Sequence, residues 1–511
     1  MKKRVVALLL SMAMVTATMV GCGNNNSNST GNAGNGESNG TESSDGAESV
    51  LKDGKDNVIT MVFPGNSSAP GSLEEIEGAL TELAKETIDC TIDLNILEWG
   101  VFVEQTNLML SSGEDVDIIF SFDTLQSATS GQILNIADMV DKYAPETMEQ
   151  MGQFIKACYV GDDLYGFPSY HEFATQAGLV CRTDILEELD VDPTSITTWD
   201  DVEALLAQVK EAHPELDVLV PANVGGGMLQ PAFAGTFDDI QYGMAGVYAD
   251  GSHGLEVYNI FDTDEFMEVA KLAYDWNQKG YFIADSTTIT DTRQAFLSAG
   301  SCFGYIGTIH PGTKTQEGIN AGCDVTVIPI TDRVTGTNNV ATFQYAIPSG
   351  SDAPEKAIAV LNMIYTNPDV QNLLHYGIEG KDYEIVREGV AGYPEGVDST
   401  SVGWTNETWL TGNASVGLAW ETDPDDIWAL YEDFNNNSTF SPAYGFMFDS
   451  TNVRTEVTAV QNMLDKYTAM IYSGMAEPEK TVAQFVNDLN TAGMQNIVSE
   501  IQSQLDAWNA E

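Results

Sequence analysis

Strand and helix patterns alternate along the chain from about residue 57, and this alternation constrains the fold more than any other feature. Residues 57–63 (NVITMVF) and 91–97 (TIDLNIL) are rich in β-branched side chains, and residues 117–120 (DIIF) are a short apolar run. Between them, residues 73–87 and 102–110 carry the apolar spacing of helices that face a core. A strand–helix–strand–helix–strand order predicts an α/β fold, with a mostly parallel sheet covered by helices.

The length of the chain adds a second constraint. A chain of 511 residues exceeds what one hydrophobic core usually supports, so we predict two domains. Neither a Gly-x-Gly-x-x-Gly nor a Gly-Lys-Ser/Thr phosphate loop follows any predicted strand. The sequence therefore predicts no nucleotide or other cofactor.

The first 22 residues have the layout of a bacterial export signal. Cations at residues 2–4 precede an apolar stretch over residues 5–20, which is too short and too interrupted for a stable membrane span. Residues 19–22 (MVGC) resemble the lipobox of bacterial lipoproteins, in which the cysteine becomes the lipidated first residue. We therefore expect lipidation of Cys22 and a protein held at the extracellular face of the cell membrane. The alternative is an ordinary signal peptide with an incidental Cys22.

The segment after Cys22 is predicted to be a spacer. Residues 23–49 are almost wholly Gly, Asn, Ser, Thr, Ala and acids, with no aromatic side chain. Such a composition cannot bury enough apolar surface to offset the entropy of ordering. We predict a disordered linker over residues 22–55, between the signal peptide at residues 1–21 and the folded part.

Charge and cysteine content exclude several classes of partner. The formal net charge is −55, which argues against nucleic acid and anionic lipid, because both attract cationic surfaces. The membrane is thus expected to be reached only through the lipid anchor. The five cysteines beyond Cys22 are scattered, and the five histidines form no ligand-like pair, so we predict free thiols and no metal site.

Several segments spread over the chain share the pattern of one protein family. The pattern is carried by residues 96–120 (ILEWGVFVEQTNLMLSSGEDVDIIF), 161–168 (GDDLYGFP), 180–199 and 346–370. It resembles that of family 1 extracellular solute-binding proteins of ABC importers. Towards the C-terminus, residues 376–383 (YGIEGKDY), 441–448 (SPAYGFMF) and 492–508 resemble the LipO-type branch of lipoprotein sugar-binding proteins.

The resemblance implies a two-lobed periplasmic-binding-protein-like fold (type II), with a ligand cleft between lobes joined by hinge crossings. By analogy, lobe one comprises residues 56–176 and 323–380, and lobe two comprises residues 177–322 and 381–511. The resemblance also implies a monomer without enzymatic activity. Such a protein captures an oligosaccharide and delivers it to the permease subunits of an ABC importer.

Aromatic residues in loops are the first candidates for the ligand site. Sugars present apolar C–H faces and many hydroxyls, so a sugar cleft needs aromatic surfaces beside polar side chains. Trp404, Trp409, Trp420 and Trp428 lie within 25 residues, in a segment rich in Gly, Asn and Thr. We predict ligand contacts for Trp404 and Trp420, and we assign Trp428, which has aliphatic neighbours, to the core.

Residues at the ends of predicted strands form the second group of candidates. Ligands of open α/β sheets bind beyond the carboxyl ends of the strands. This rule and the predicted lobe crossings select Trp99, Phe122, Asp123, Tyr170, Gln176, Tyr305, His310, Gln344 and Tyr345.

Two other functions remain open at the level of sequence. A peptide-binding lipoprotein would use the same scaffold. A secreted glycoside hydrolase would also present aromatics and acids, but it needs two carboxyl groups flanking one bond at a defined separation. With 76 acidic residues, the sequence neither supplies nor excludes such a pair.

Overall fold

The computed structural model of the protein describes residues 44–65, 70–241 and 243–510. The predicted signal peptide, Cys22 and residues 23–43 of the predicted spacer lie outside these ranges. Within them, no helix combines the length and the apolar character needed to cross a bilayer.

The described ranges contain nineteen strands and eighteen α-helices. The strands are β1 (Asn57–Gly65), β2 (Cys90–Glu98), β3 (Ile118–Ser121), β4 (Tyr159–Val160), β5 (Asp163–Leu164), β6 (Phe167–Pro168), β7 (Ala177–Arg182), β8 (Asp217–Leu219), β9 (Phe237–Gln241), β10 (Ala245–Tyr248), β11 (Tyr258–Asn259), β12 (Cys302–Thr308), β13 (Val325–Pro329), β14 (Val334–Thr335), β15 (Gln344–Ala346), β16 (Glu384–Arg387), β17 (Val390–Gly392), β18 (Ala419–Trp420) and β19 (Thr439–Phe440). The helices are α1 (Ser44–Leu51), α2 (Pro70–Thr87), α3 (Phe102–Ser112), α4 (Thr124–Thr129), α5 (Ala137–Tyr143), α6 (Pro145–Met151), α7 (Thr183–Glu188), α8 (Trp199–Ala212), α9 (Asp264–Gln278), α10 (Arg293–Ser298), α11 (Thr313–Ala321), α12 (Thr337–Ala341), α13 (Pro354–Thr366), α14 (Pro368–Tyr376), α15 (Ile427–Asn436), α16 (Arg454–Tyr472), α17 (Pro478–Ala492) and α18 (Met494–Trp508).

The first lobe is built on a five-stranded sheet in the order β2-β1-β3-β15-β6. β1 pairs in parallel with β2 and β3, whereas β15 runs antiparallel to β3 and β6. Helix α2 packs on this sheet because Ile76, Leu80 and Ala84, spaced four residues apart, are all buried on one face. The strand–helix alternation predicted for residues 57–120 is confirmed.

The second lobe contains a sheet in the order β13-β7-β12-β8 and a smaller antiparallel sheet in the order β11-β10-β9. Trp276 of α9 is fully buried beside the first of these. The smaller sheet shares its core with α9 and the three C-terminal helices, which bury Leu464, Phe485 and Ile501.

The described chain crosses between the lobes three times, and the crossings lie side by side. Thr175 on the first crossing exchanges backbone hydrogen bonds of 2.8 and 3.1 Å with Val334 on the second. β14 on the second crossing pairs in parallel with β19 on the third. Neighbouring crossings of this kind allow a hinge motion that changes only a few backbone dihedrals.

Two of the predicted lobe boundaries need correction. β13 pairs with β7, so the second lobe extends past residue 323 to the crossing at β14. Residues 381–437 do not begin the second lobe, because Trp404 and Leu410 lie in the core of the first lobe. The final crossing is therefore at β19. A lobe boundary depends on which strands pair and which side chains share a core. A local sequence pattern shows neither of these.

The predicted disordered linker also ends earlier than expected. Residues 44–51 form α1, whose Ala47, Val50 and Leu51 pack against the core of the first lobe. Beyond α1, Asp53 forms an ion pair of 2.9 Å with the buried ammonium group of Lys356. Residues 44–55 are thus part of the folded lobe.

Close packing between strands of the second lobe leads to a stability prediction. A Cβ atom added at Gly304 of β12 would lie 2.3 Å from the carbonyl oxygen of Val180. We expect Gly304→Ala to lower the free energy of unfolding by about 2–3 kcal/mol, because the strands must separate to admit the methyl group. Gly78→Ala on the exposed face of α2, where nothing lies within 4 Å, should be neutral or stabilising by up to about 1 kcal/mol. Equal melting temperatures for the two variants would contradict this account.

Candidate functional site

One edge of the first sheet carries a group of four neighbouring aromatic side chains. Trp99 follows β2, Phe122 follows β3, and Phe343 precedes the antiparallel β15, so all three lie where strands meet the same edge. The fourth member, Trp409, is held at this edge because its carbonyl oxygen accepts a 2.6 Å hydrogen bond from the hydroxyl of Ser169 after β6. We call these four residues the aromatic platform.

The rings of the aromatic platform contact one another in a continuous group. Ring centroids are 5.5 Å apart for Trp99 and Trp409, 4.7 Å for Trp409 and Phe343, and 5.7 Å for Phe343 and Phe122. Trp99 keeps 39% of its surface exposed, and the other three are partly buried. An exposed ring supported by other rings is a rigid apolar surface on which a ligand can stack.

A cavity of about 430 Å³ adjoins the platform and lies between the lobes. Its wall on the first lobe includes Trp409, Trp420 and Tyr431, and its wall on the second lobe includes Gln316 and Asn320 of α11. Trp420 is positioned by stacking on Tyr376 at 5.1 Å. Aromatic rings on one wall therefore oppose amide side chains on the other.

A larger cavity of about 980 Å³ continues into the second lobe. It shares Glu172 and His310 with the smaller cavity, so the two form one extended cleft. Glu172 belongs to the first lobe and His310 follows β12 of the second, and their Oε1 and Nε2 atoms are 3.9 Å apart. Asn338 and Asn339 of α12 add further polar groups to this cavity.

Acidic side chains dominate the charge of the cleft. Arg293 is the one lysine or arginine among the described residues that line the two cavities. Its guanidinium is occupied by Glu317, at 2.7 Å between Nη2 and Oε1. Burial raises the pKa of the Asp423 carboxyl and lowers the pKa of His375 to about 4, so this histidine is neutral at neutral pH.

Five of the predicted ligand residues line a cavity, and two others lie beside Phe343 and Trp409, which line one. Trp99 and Phe122 belong to the aromatic platform, and five others line a cavity, namely Gln176, Tyr305, His310, Trp404 and Trp420. Two of the five have little free surface. Trp404 is 2% exposed and its Nε1 donates to the carbonyl oxygen of Leu374 at 3.0 Å, and Tyr305 is also 2% exposed, beneath the Arg293 guanidinium.

Four predicted ligand residues have structural positions instead. Asp123 caps α4 by accepting a hydrogen bond of 3.1 Å from the backbone N–H of Gln126. Tyr170 packs between Phe154 and Phe173. Gln344 and Tyr345 are fully buried within β15, where the Gln344 amide donates to the carbonyl oxygen of Ala341 and the Tyr345 hydroxyl donates to that of Leu410. None of the four lines either cavity.

Several residues of the cleft were missed from the sequence. Phe343 directly precedes a predicted strand end, and Trp409 lies in the tryptophan-rich segment. The rules that selected the other candidates therefore apply to both residues. Trp428, which we predict to be a core residue, packs against the small hydrophobic cluster that contains Ile427, and it also lines the smaller cavity. Asp238 and Asp239 also line the larger cavity. In the sequence, the two acids lie between Phe237 and Ile240. Acidic residues flanked by large apolar ones indicate carboxylates that are partly buried.

Two family models match the chain. The model described as bacterial extracellular solute-binding protein matches residues 70–371, which is more than half of the chain. A domain of unknown function, DUF3502, matches residues 442–510, the segment that follows the last crossing and contains the three C-terminal helices. The second model therefore covers most of the C-terminal part of the second lobe.

Related proteins share the fold over nearly the whole described chain. A carbohydrate ABC transporter substrate-binding protein of Streptococcus pneumoniae is 24% identical over 456 residues, covering 88% of this chain and 91% of that protein. The crystal structure of the N-glycan transport solute binding protein NgtS from S. pneumoniae matches with a TM-score of 0.76 at 23% identity, over 88% of this chain and 98% of that one. An extracellular solute-binding protein from Bifidobacterium longum subsp. infantis gives a TM-score of 0.65 at 15% identity, with the same coverage. The predicted two-lobed α/β fold is confirmed.

Proposed function

The chain belongs to the family of bacterial extracellular solute-binding proteins, and on this premise we propose that it captures an oligosaccharide between its lobes and delivers it to a membrane ABC importer. Two relatives support this choice of ligand class. One is a carbohydrate ABC transporter substrate-binding protein, and NgtS has been crystallised in complex with Man5GlcNAc.

The aromatic platform is the observation that carries the proposal. Sugar rings bind through their apolar C–H faces and through hydroxyl groups that need hydrogen-bond partners. Trp99 supplies an exposed ring at the sheet edge, and the adjoining cavities supply amide and carboxylate groups such as Gln316, Asn338 and Glu172. A peptide site would instead be expected to pair the backbone of its ligand along an exposed strand edge.

Delivery requires that the loaded and empty forms differ in shape. A ligand that contacts both lobes shifts the population toward the closed form, in proportion to its preference for that form. The hydrogen bonds between Thr175 and Val334, and between β14 and β19, keep the three crossings together during such a motion. The importer then recognises the closed form.

The N-terminal sequence adds a location to this proposal. Cys22, in its lipobox-like context, carries the lipid that tethers the protein as a monomer to the extracellular face of the membrane. Residues 23–43 act as the spacer between the anchor and α1. Two acyl chains would hold a protein stably at a bilayer, whereas one would not.

A melting-temperature screen tests the ligand class. We expect the mature chain to gain several degrees in melting temperature with at least one neutral oligosaccharide, because a ligand that binds only the folded state stabilises it by mass action. Tri- and tetrapeptides at the same concentration should give no shift. A shift with peptides and none with any oligosaccharide would overturn the assignment.

The same samples test whether the protein is a binder or a hydrolase. We propose that the protein carries no catalytic activity toward its ligand. Mass spectrometry after prolonged incubation should therefore recover the stabilising oligosaccharide uncleaved. Release of shorter sugars at a rate proportional to protein concentration would identify a glycoside hydrolase.

A further inference from the structure

Two adjacent carboxylates of β9 line the larger cavity without a full set of partners. Asp238 is only 6% exposed, and its Oδ2 is buried with no hydrogen-bond partner among the described residues. The Oδ1 atom of Asp239 is in the same state, although its Oδ2 accepts a hydrogen bond from the backbone N–H of Gly243. A buried acceptor left without a donor is costly, and both residues border the cavity, so a ligand donor that reaches these oxygens would remove that cost.

The carboxylate of Asp238 is fixed in position. Ser441, on the far side of the third crossing, lies close enough to lower the pKa of this carboxyl, against the larger effect of burial. A Cβ atom added at Gly336 would lie 2.0 Å from Oδ1 of Asp238, so this side chain fills the space next to the second crossing. Its remaining oxygen cannot swing far to find another partner.

Among the described residues that line this cavity, no lysine or arginine is free to pair with the two aspartates. Arg293 is the one lysine or arginine among the described residues that line this cavity. Its guanidinium donates to Glu317 and, at 2.6 Å, to the carbonyl oxygen of Ala222. Burial raises the pKa of both aspartates to about 6, and each still carries mainly negative charge at pH 7.5.

We propose that Asp238 and Asp239 form a subsite that binds a hydrogen-bond-donating sugar unit, through its hydroxyl or amino groups, and rejects sugars that carry a carboxylate. This inference rests on the proposed function and names the chemistry of one end of its ligand. Hydroxyl and ammonium groups can both donate to the free carboxylate oxygens. A carboxylated sugar would bring a third negative charge into a site whose arginine, Arg293, is already paired with Glu317, and like charges at close range repel.

Three sugars of different charge test the proposal in titration calorimetry with the full mature chain at pH 7.5. The probes are Man5GlcNAc, the trimer of glucosamine and the trimer of galacturonic acid. We expect binding of a neutral or amino probe and none of the galacturonate trimer. Stronger binding of the glucosamine trimer would identify an amine as the donor, and stronger binding of Man5GlcNAc would identify hydroxyl groups.

Substitutions at the pair separate a binding role from a structural one. Asp238→Asn and Asp239→Asn should each weaken binding of the neutral or amino probe about tenfold, since hydrogen bonds to a charged acceptor are lost. Both variants should also raise the melting temperature of the unliganded chain, because an amide is less costly to bury than an unpaired carboxylate. Asp93→Asn, at an exposed position of β2, is the matched control and should change neither quantity.

The outcomes distinguish the subsite from the function on which it rests. Unchanged affinity of both variants for a probe that the wild type binds would overturn the subsite and leave the oligosaccharide function standing. Tight binding of the galacturonate trimer would also overturn the subsite without affecting the oligosaccharide function. A lower melting temperature of both unliganded variants would show that the carboxylates stabilise the folded state, which would contradict a binding role. If no oligosaccharide binds the wild type, the proposed function and the subsite both fail.

Discussion

We expect the Lys356→Met variant to lose about 3 kcal/mol of folding free energy in its first lobe, because a buried ammonium group with several acceptors contributes far more than an exposed one. Lys356 lies in α13 and its side chain is 5% exposed. Its Nζ donates to Asp53, to Asn57 and to the carbonyl oxygens of Lys55 and Asp89, at 2.7–3.0 Å. Methionine fills a similar volume but removes the ammonium donor from all four acceptors, of which Asp53 keeps another partner, the backbone N–H of Lys55. Chemical denaturation monitored by tryptophan fluorescence measures the loss.

The matched control is an exposed lysine of the same lobe. Lys381 pairs with Glu75 at 2.8 Å, but 43% of its side chain is exposed to solvent. Exposed pairs contribute at most about 1 kcal/mol, so Lys381→Met should change stability little. Removal of residues 44–56 should reproduce most of the Lys356→Met effect, because it deletes Asp53 together with the packing of α1. Equal stability of the two methionine variants would contradict the role assigned to Lys356.

Trp99→Ala should weaken oligosaccharide binding about 30-fold, equivalent to about 2 kcal/mol, with little effect on folding. The indole is 39% exposed and contacts Phe122 and Trp409 through its other surfaces. Its removal deletes the most accessible ring of the aromatic platform and costs the core little. Calorimetric titration with the oligosaccharide that raises the melting temperature most measures the change in affinity.

Trp508→Ala provides the control for this prediction. Trp508 lies at the end of α18, packs against the core of the C-terminal helices, and its ring contacts Phe446 instead of the aromatic platform. Its replacement should lower the melting temperature and leave the affinity for the oligosaccharide unchanged. If Trp99→Ala bound as tightly as the wild type, the platform would have no part in the site.

Local patterns were sufficient to predict the strands and helices of the first sheet. In β1, α2 and β2, the hydrophobic periodicity matches the face that is buried, and the expected elements differ from the observed ones by only a few residues. The same patterns predicted the edge at which the parallel strands end, and Trp99 and Phe122 lie at this edge.

Features that depend on distant partners could not be predicted in this way. Gln344 and Tyr345 begin a strand at the correct edge, but β15 lies between β3 and β6 and buries both side chains. Trp404 lies in a loop, the kind of segment that is typical of ligand sites, yet α14 supplies its hydrogen-bond acceptor and the loop folds onto the core. The observed lobe boundaries differ from the predicted ones for the same reason, because β13 pairs with β7, which lies more than 140 residues earlier in the chain.

A crystal structure of the mature chain with the most stabilising oligosaccharide bound would test the central claim most directly. The account predicts a sugar ring stacked on Trp99 or Trp409, with hydroxyl groups bonded to residues of both lobes. It also predicts a smaller separation between the lobes than in the unliganded chain. An oligosaccharide bound outside the cleft, or bound within it without contact to the aromatic platform, would contradict the account.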